Sequence, residues 1–147
     1  MPDLPAKGAC SCGAISYTIT APPMFSLYCH CSACQKRTGA AFLPVMFVPE
    51  AAFQLTGETE THTRTGGSGH ALVAHRCKAC GQGVFNEVGV LAGGVSVAPH
   101  TLEDRSLFQP YCHIHTENTP EWLSIDDGLP QYKGPPETLP TGTVINA

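Results

Sequence analysis

The sequence predicts a mainly β domain of short strands and tight turns, stapled by cysteine-bound metal. Three observations carry that expectation. Glycine and proline number 15 and 13 among 147 residues, about 19% where roughly 12% is ordinary, and such punctuation favours strands and turns over long helices. Short strand-like segments, about eight of them, recur at the spacing of all-β domains. Eight cysteines fall, all but one, into tight Cys-x-Cys or Cys-x-x-Cys clusters.

Taken in order, Ala14 to Thr20 sets Ile15, Tyr17 and Ile19 against Ser16, Thr18 and Thr20, the pattern of a half-buried strand. Met24 to Cys29 follows the Pro22-Pro23 turn as a second strand. Ser32 to Thr38 holds Ala, Gln, Lys and Arg ahead of Gly39, which suits one or two helical turns with a glycine stop. Phe42 to Val48 is rich in β-branched and aromatic residues, and Pro44, lacking a backbone N–H, marks it as an edge or bulged strand. Thr59 to Thr65 interleaves threonine with Glu60, His62 and Arg64 as an exposed strand would. GGSG at 66–69 is the expected hairpin tip, without the Lys-Ser/Thr of a phosphate cradle, and His70 to Cys77 returns as a strand. Val84–Val88, Val90–Val97 and Tyr111–His115 complete the strands, with a helical turn near Leu102–Ser106. Residues 1–133 are expected to form a single domain and residues 134–147, with Pro135, Pro136 and Pro140, a loosely ordered tail.

Hydrophobic residues make up 42% of the chain, enough for a folded core despite only 14% charged residues. The net charge of −4, from 8 basic and 12 acidic residues, argues against a nucleic-acid surface. No apolar run approaches the roughly 20 residues that span a bilayer, so no membrane partner is expected. The opening MPDLPAKG has no basic start leading into an apolar stretch, and a cytoplasmic location is expected.

In a reducing compartment clustered cysteines are better metal ligands than disulfide partners. Cys77-Lys78-Ala79-Cys80-Gly81 has the form of a zinc knuckle, and Cys10-Ser11-Cys12-Gly13 offers the two thiolates that would complete a closed, structural Cys₄ site. Soft donors make Zn²⁺ the first choice, although an iron or iron–sulfur centre would accept the same thiolates. Cys29, Cys31 and Cys34 supply only three thiols, leaving the fourth position of a second zinc open to an incoming thiol, which is the catalytic form of such a site. His30, between two ligands on extended backbone, is expected to point away from them. Lys36 and Arg37 lie where carboxylates of an acidic substrate could be drawn in, but their expected role is a solvated turn. His100, His113 and His115 are scattered, and Cys112 is read as a small buried hydrophobe rather than a nucleophile. Trp122 fits a pocket cover, core packing or a surface anchor equally well.

With these residues assembled, the chain resembles the GFA family, of glutathione-dependent formaldehyde-activating enzymes and centromere protein V type domains. The resemblance rests on GxCxCGxxxY at Gly8 to Tyr17, CHCxxCxxxTGA at Cys29 to Ala40 and CxxCG at Cys77 to Gly81, then Pro110, His113-Ile114, Trp122 and Leu129-Pro130-x-Tyr132. It implies a β-tent fold, two antiparallel sheets leaning together as in methionine sulfoxide reductase B. It implies a structural zinc on Cys10, Cys12, Cys77 and Cys80 and a zinc assigned to catalysis on Cys29, Cys31 and Cys34. The implied reaction joins the thiol of glutathione to formaldehyde, a carbon–sulfur lyase activity in its formal class. Two other readings stand beside it. One is a non-catalytic zinc-binding β-tent module for protein or ligand binding, and the other makes Cys112, at a position the family pattern does not reserve for cysteine, a nucleophile on a sulfoxide. The oligomeric state is open, a homo-oligomer included.

Overall fold

In a computed structural model of the protein, the described residues are 3–65, 70–89, 91 and 93–134. The expected hairpin tip at 66–69, part of the expected strand Val90–Val97 and the tail from 135 onward lie outside them. Among the described residues ten strands form two sheets. A three-stranded sheet has the order β1-β2-β5, from β1 (Ala6–Ala9), β2 (Ser16–Ile19) and β5 (Phe53–Thr56). A seven-stranded sheet has the order β10-β3-β4-β9-β8-β7-β6. Its strands are β3 (Phe25–Cys29), β4 (Leu43–Pro49), β6 (Thr59–Thr65), β7 (Ala71–Cys77), β8 (Gly83–Val88), β9 (Gly94–Val97) and β10 (His113–Ile114). The one α-helix among the described residues, α1 (Ser32–Thr38), starts on a Cys31 cap and stops at Gly39, whose φ of 72° suits glycine.

The mainly β architecture matches the expectation, with three differences. β1 and β5 carry little sequence signal, because AKGA and FQLT have few β-branched residues, and they exist through pairing with β2 on both of its sides. β4 is not an edge strand but lies between β3 and β9. Pro44 pairs opposite Tyr28 of β3, while β9 meets β4 only from Met46 to Pro49, so Pro44 stands beyond the end of β9 where no strand on that side needs its N–H. β10 runs parallel to β3, so the large sheet is not purely antiparallel.

One face of the large sheet packs against the small one. Met46, Val48, Val95 and Val97 meet Ile15, Tyr17 and Ile19, with Val84, Leu102 and Leu107 closing the core. Cys10 and Cys77 belong to that cluster. On the opposite face a second cluster gathers Phe25, Leu27, Phe47, Cys112 and Ile114 around Cys29 and Cys34. Each core thus carries one group of cysteines. Among the described residues no helix is long and apolar enough to cross a membrane.

Candidate functional site

Two matching turns build the first cysteine group. Gly13 and Gly81 both have a φ of 78°, and their N–H groups donate to Cys10 O at 3.1 Å and Cys77 O at 2.8 Å. Each turn directs two thiols to the same point, and Ser11 ties the turns together by donating its N–H and hydroxyl to Gln82 Oε1, both at 2.6 Å. Cys10 and Cys12 Sγ are 3.6 Å apart, Cys12 and Cys77 Sγ 3.7 Å, and all four sulfurs lie within 4.8 Å of one another. Tetrahedral coordination with metal–sulfur bonds of about 2.3 Å requires sulfur–sulfur edges of about 3.8 Å. Burial opposes ionisation of Cys10, yet the Ile15 amide and the thiols of Cys12 and Cys77 outweigh it and hold its pKa at about 6. The Ala14 amide favours a Cys12 thiolate, but the surrounding thiols prevail and push that group up to about 11. Four thiols so close share negative charge poorly without a cation, and the donor set fits a soft divalent ion.

The second group sits where β3 runs into α1. Cys29 closes the strand, Cys31 caps the helix by accepting the Cys34 N–H at 3.2 Å, and Cys34 lies in the first turn. Their sulfurs also fall within 4.8 Å of one another, at 3.7 Å for Cys29–Cys34 and 2.7 Å for Cys31–Cys34. A disulfide would need about 2.05 Å, so these are free thiols. Contacts from Cys29 and Cys34 pull Cys31 down to about 2, whereas contacts with Cys31 and Cys34, together with burial, push Cys29 well up. Cys34 is raised to about 11: the Cys29 contact works toward ionisation, but the Cys31 contact and burial overcome it. Three thiolates this close would repel one another unaided; a divalent ion would relieve that repulsion, and three donors would leave it a coordination position.

His30 is fully buried and turns away from the thiols, as expected. Its Nε2 is 2.9 Å from His113 Nδ1, and His113 Nε2 is 2.8 Å from Asp127 Oδ2. The carboxylate can only accept, so His113 carries its proton on Nε2 and accepts at Nδ1 from the Nε2–H of His30. The hydrogen bonds from His113 and from the Leu129 amide lower the Asp127 carboxyl, and burial lowers His30. Tyr28 stacks on His113 with ring centroids 4.9 Å apart. This chain anchors the peptide between two thiol-bearing residues to the far side of β3. Sequence reasoning missed it: His113 stands in the Pro-x-x-His-Ile stretch, but Asp127, 14 residues on, has no local pattern to mark it.

Cys29, Cys31 and Cys34 open onto a cavity of about 510 Å³ floored by the large sheet. Arg37 lines it too, where a solvated turn was expected, whereas Lys36 is exposed. His115, at a φ of 56°, also lines it, and His100 is exposed on the surface. Cys112 is completely buried, with burial raising its thiol, which matches the inert reading. Trp122 is 78% exposed, which removes the core-packing reading and leaves it outside the cavity lining.

Comparison with known proteins agrees with this architecture. The family model described as "Glutathione-dependent formaldehyde-activating enzyme" matches residues 5–118. Among solved structures, a crystal structure of a Rhodobacter sphaeroides protein superposes with a TM-score of 0.53 at 20% identity, covering 71% of this chain and 96% of the other. At that identity the likeness is one of fold.

Proposed function

The chain belongs to the GFA family, and on that premise we propose that residues 1–133 form one zinc-dependent enzyme domain of carbon–sulfur lyase type. Its substrates would be a small thiol such as glutathione and an aldehyde such as formaldehyde, joined as, or released from, their adduct. The observation that carries this reading is the three-thiol group lining a cavity, with the four thiols of the separate group outside that lining.

Cys10, Cys12, Cys77 and Cys80 would hold a structural zinc that clamps the two turns. Cys29, Cys31 and Cys34 would hold a second. When bound there, the metal supplies Lewis acidity that favours the thiolate form of an incoming thiol at neutral pH. The reaction is balanced within itself: the S–C bond forms as the carbonyl π bond opens, and the proton lost by the thiol ends on the new hydroxyl. The chain's own contribution is positional. The His30–His113–Asp127 hydrogen bonds hold the ligand-bearing loop in place, and the cavity beside the three thiols gives the reacting pair a common site. A cytoplasmic setting suits eight free thiols.

Metal content per chain, measured by mass spectrometry on wild type and Cys31→Ser, tests the reading together with the rate of hemithioacetal exchange above the uncatalysed background. Two zincs falling to one, with loss of the added rate, is the expected result. One zinc in both proteins, or an exchange rate equal to background, would overturn it.

A further inference from the structure

The face of the large sheet turned away from the small sheet should, in an antiparallel arrangement, be polar. It is not. Strand register places Phe25 beside Phe47 and Leu27 beside Val45, and across the sheet Leu72 beside Val88. These six side chains line the cavity that the three thiols enter. The cavity of about 510 Å³ is many times the roughly 30 Å³ share of a single water molecule. An aldehyde of formaldehyde's size would fill a small corner.

Two cations stand among these walls. Arg64 of β6 pairs across from Leu72 and so shares its face, while Arg37 comes from α1 at the thiol end. Both line the cavity, and in each the Nε is buried with no hydrogen-bond partner. A buried donor without an acceptor is unfavourable unless a ligand supplies one. A carboxylate at each would supply that acceptor, since a guanidinium recognises carboxylate with a directed pair of donors.

We propose that the cavity selects adducts whose aldehyde-derived part is a bulky apolar alkyl or aromatic group, on a thiol whose carboxylates meet Arg37 and Arg64. The reacting carbon lies beside Cys29, Cys31 and Cys34, the apolar group lies on the sheet, and each anionic group is held at a guanidinium. This substrate class rests on the catalytic reading above.

Thioether probes separate the two ideas, because binding of a stable thioether needs no turnover. S-hexylglutathione and S-methylglutathione would be titrated calorimetrically into the zinc-loaded protein. Each buried methylene is worth about fourfold in affinity, so burying half of the hexyl group's additional carbons gives roughly a 30-fold preference. Val45→Asn and Val88→Asn should bring that ratio toward one, and Arg37→Gln and Arg64→Gln should weaken both probes alike, with metal content unchanged in all four. A ratio near one in wild type overturns the proposal, as does failure of both probes to bind a fully metallated protein. A ratio near one accompanied by a dimer that buries this face would instead assign the face to a second copy of the chain. A 30-fold preference in a protein without thiol–aldehyde turnover would retain the ligand class and overturn only the catalytic reading.

Discussion

Replacement of Cys80 by serine separates a metal clamp from a cluster of ordinary thiols. Cys80 is exposed, so the substitution removes no core packing, and without a metal it should change stability by no more than about 0.5 kcal/mol. With a metal the outcome differs. Cys12 and Cys77 are 65 positions apart, and cross-linking a loop of that length removes about 4 kcal/mol of chain entropy from the unfolded state in the simplest treatment. For a chain of this size, 1 kcal/mol shifts Tm by about 2–4 °C, so the variant should melt about 8–16 °C lower. The assay is thermal unfolding by circular dichroism, on zinc-loaded wild type and variant, with and without a strong zinc chelator. Chelated wild type should melt with the variant, and adding Cys12→Ser should lower Tm little further, since both act on one clamp. A Cys80→Ser protein melting within about 2 °C of wild type, with the chelator changing neither, would refute the reasoning.

Gly8→Ala would place a Cβ 2.2 Å from the Tyr17 ring and 2.6 Å from the Thr101 carbonyl oxygen. Tyr17 is 3% exposed and its hydroxyl meets Thr101 Oγ1 at 2.7 Å, so the ring cannot withdraw, and a loss of about 1–3 kcal/mol is expected in urea unfolding; an unchanged midpoint would contradict this packing. Asp127 has its carboxyl lowered by the hydrogen bonds from His113 and the Leu129 amide, so its contribution is complete above about pH 4, the unfolded value, and is lost as pH falls through the lowered folded value. The stability gap between wild type and Asp127→Asn should therefore be present at neutral pH and close in acid, and a gap constant with pH would remove the His113–Asp127 link. Cys112 should resist thiol-labelling reagents until the protein unfolds, because it is fully buried and its thiol is raised. Rapid labelling of the folded protein, read by mass spectrometry, would revive its role as a nucleophile.

Much of the site was legible because its parts are local. The knuckles at Cys10–Gly13 and Cys77–Gly81 follow from residue spacing and a glycine that takes a left-handed backbone, and both turns have the expected form. The short helix after Cys31 likewise follows from its composition and its glycine stop. His30 points away from the thiols because side chains alternate along extended backbone. Arg37 was misjudged for the complementary reason: a short helix with no long amphipathic pattern does not reveal which of its sides meets the rest of the molecule. β1 was invisible because its existence depends on β2, which lies several residues further along the chain.

The sequence by itself determined the β class, the two groups of thiols and the family, since each depends on chemistry within a few residues. Only the tertiary structure decided what those thiols face. Arg64, Leu72, Val88, Phe47 and Phe25 share one surface through the register of β6, β7, β8, β9, β4 and β3, and a slip of one residue in any pairing would turn its residues to the other side. Asp127 reaches His113 only because β10 runs beside β3 and the following chain folds back to pair Gln131 with His113. Such contacts between distant segments are absent from local patterns, and they set the shape and charge of the cavity.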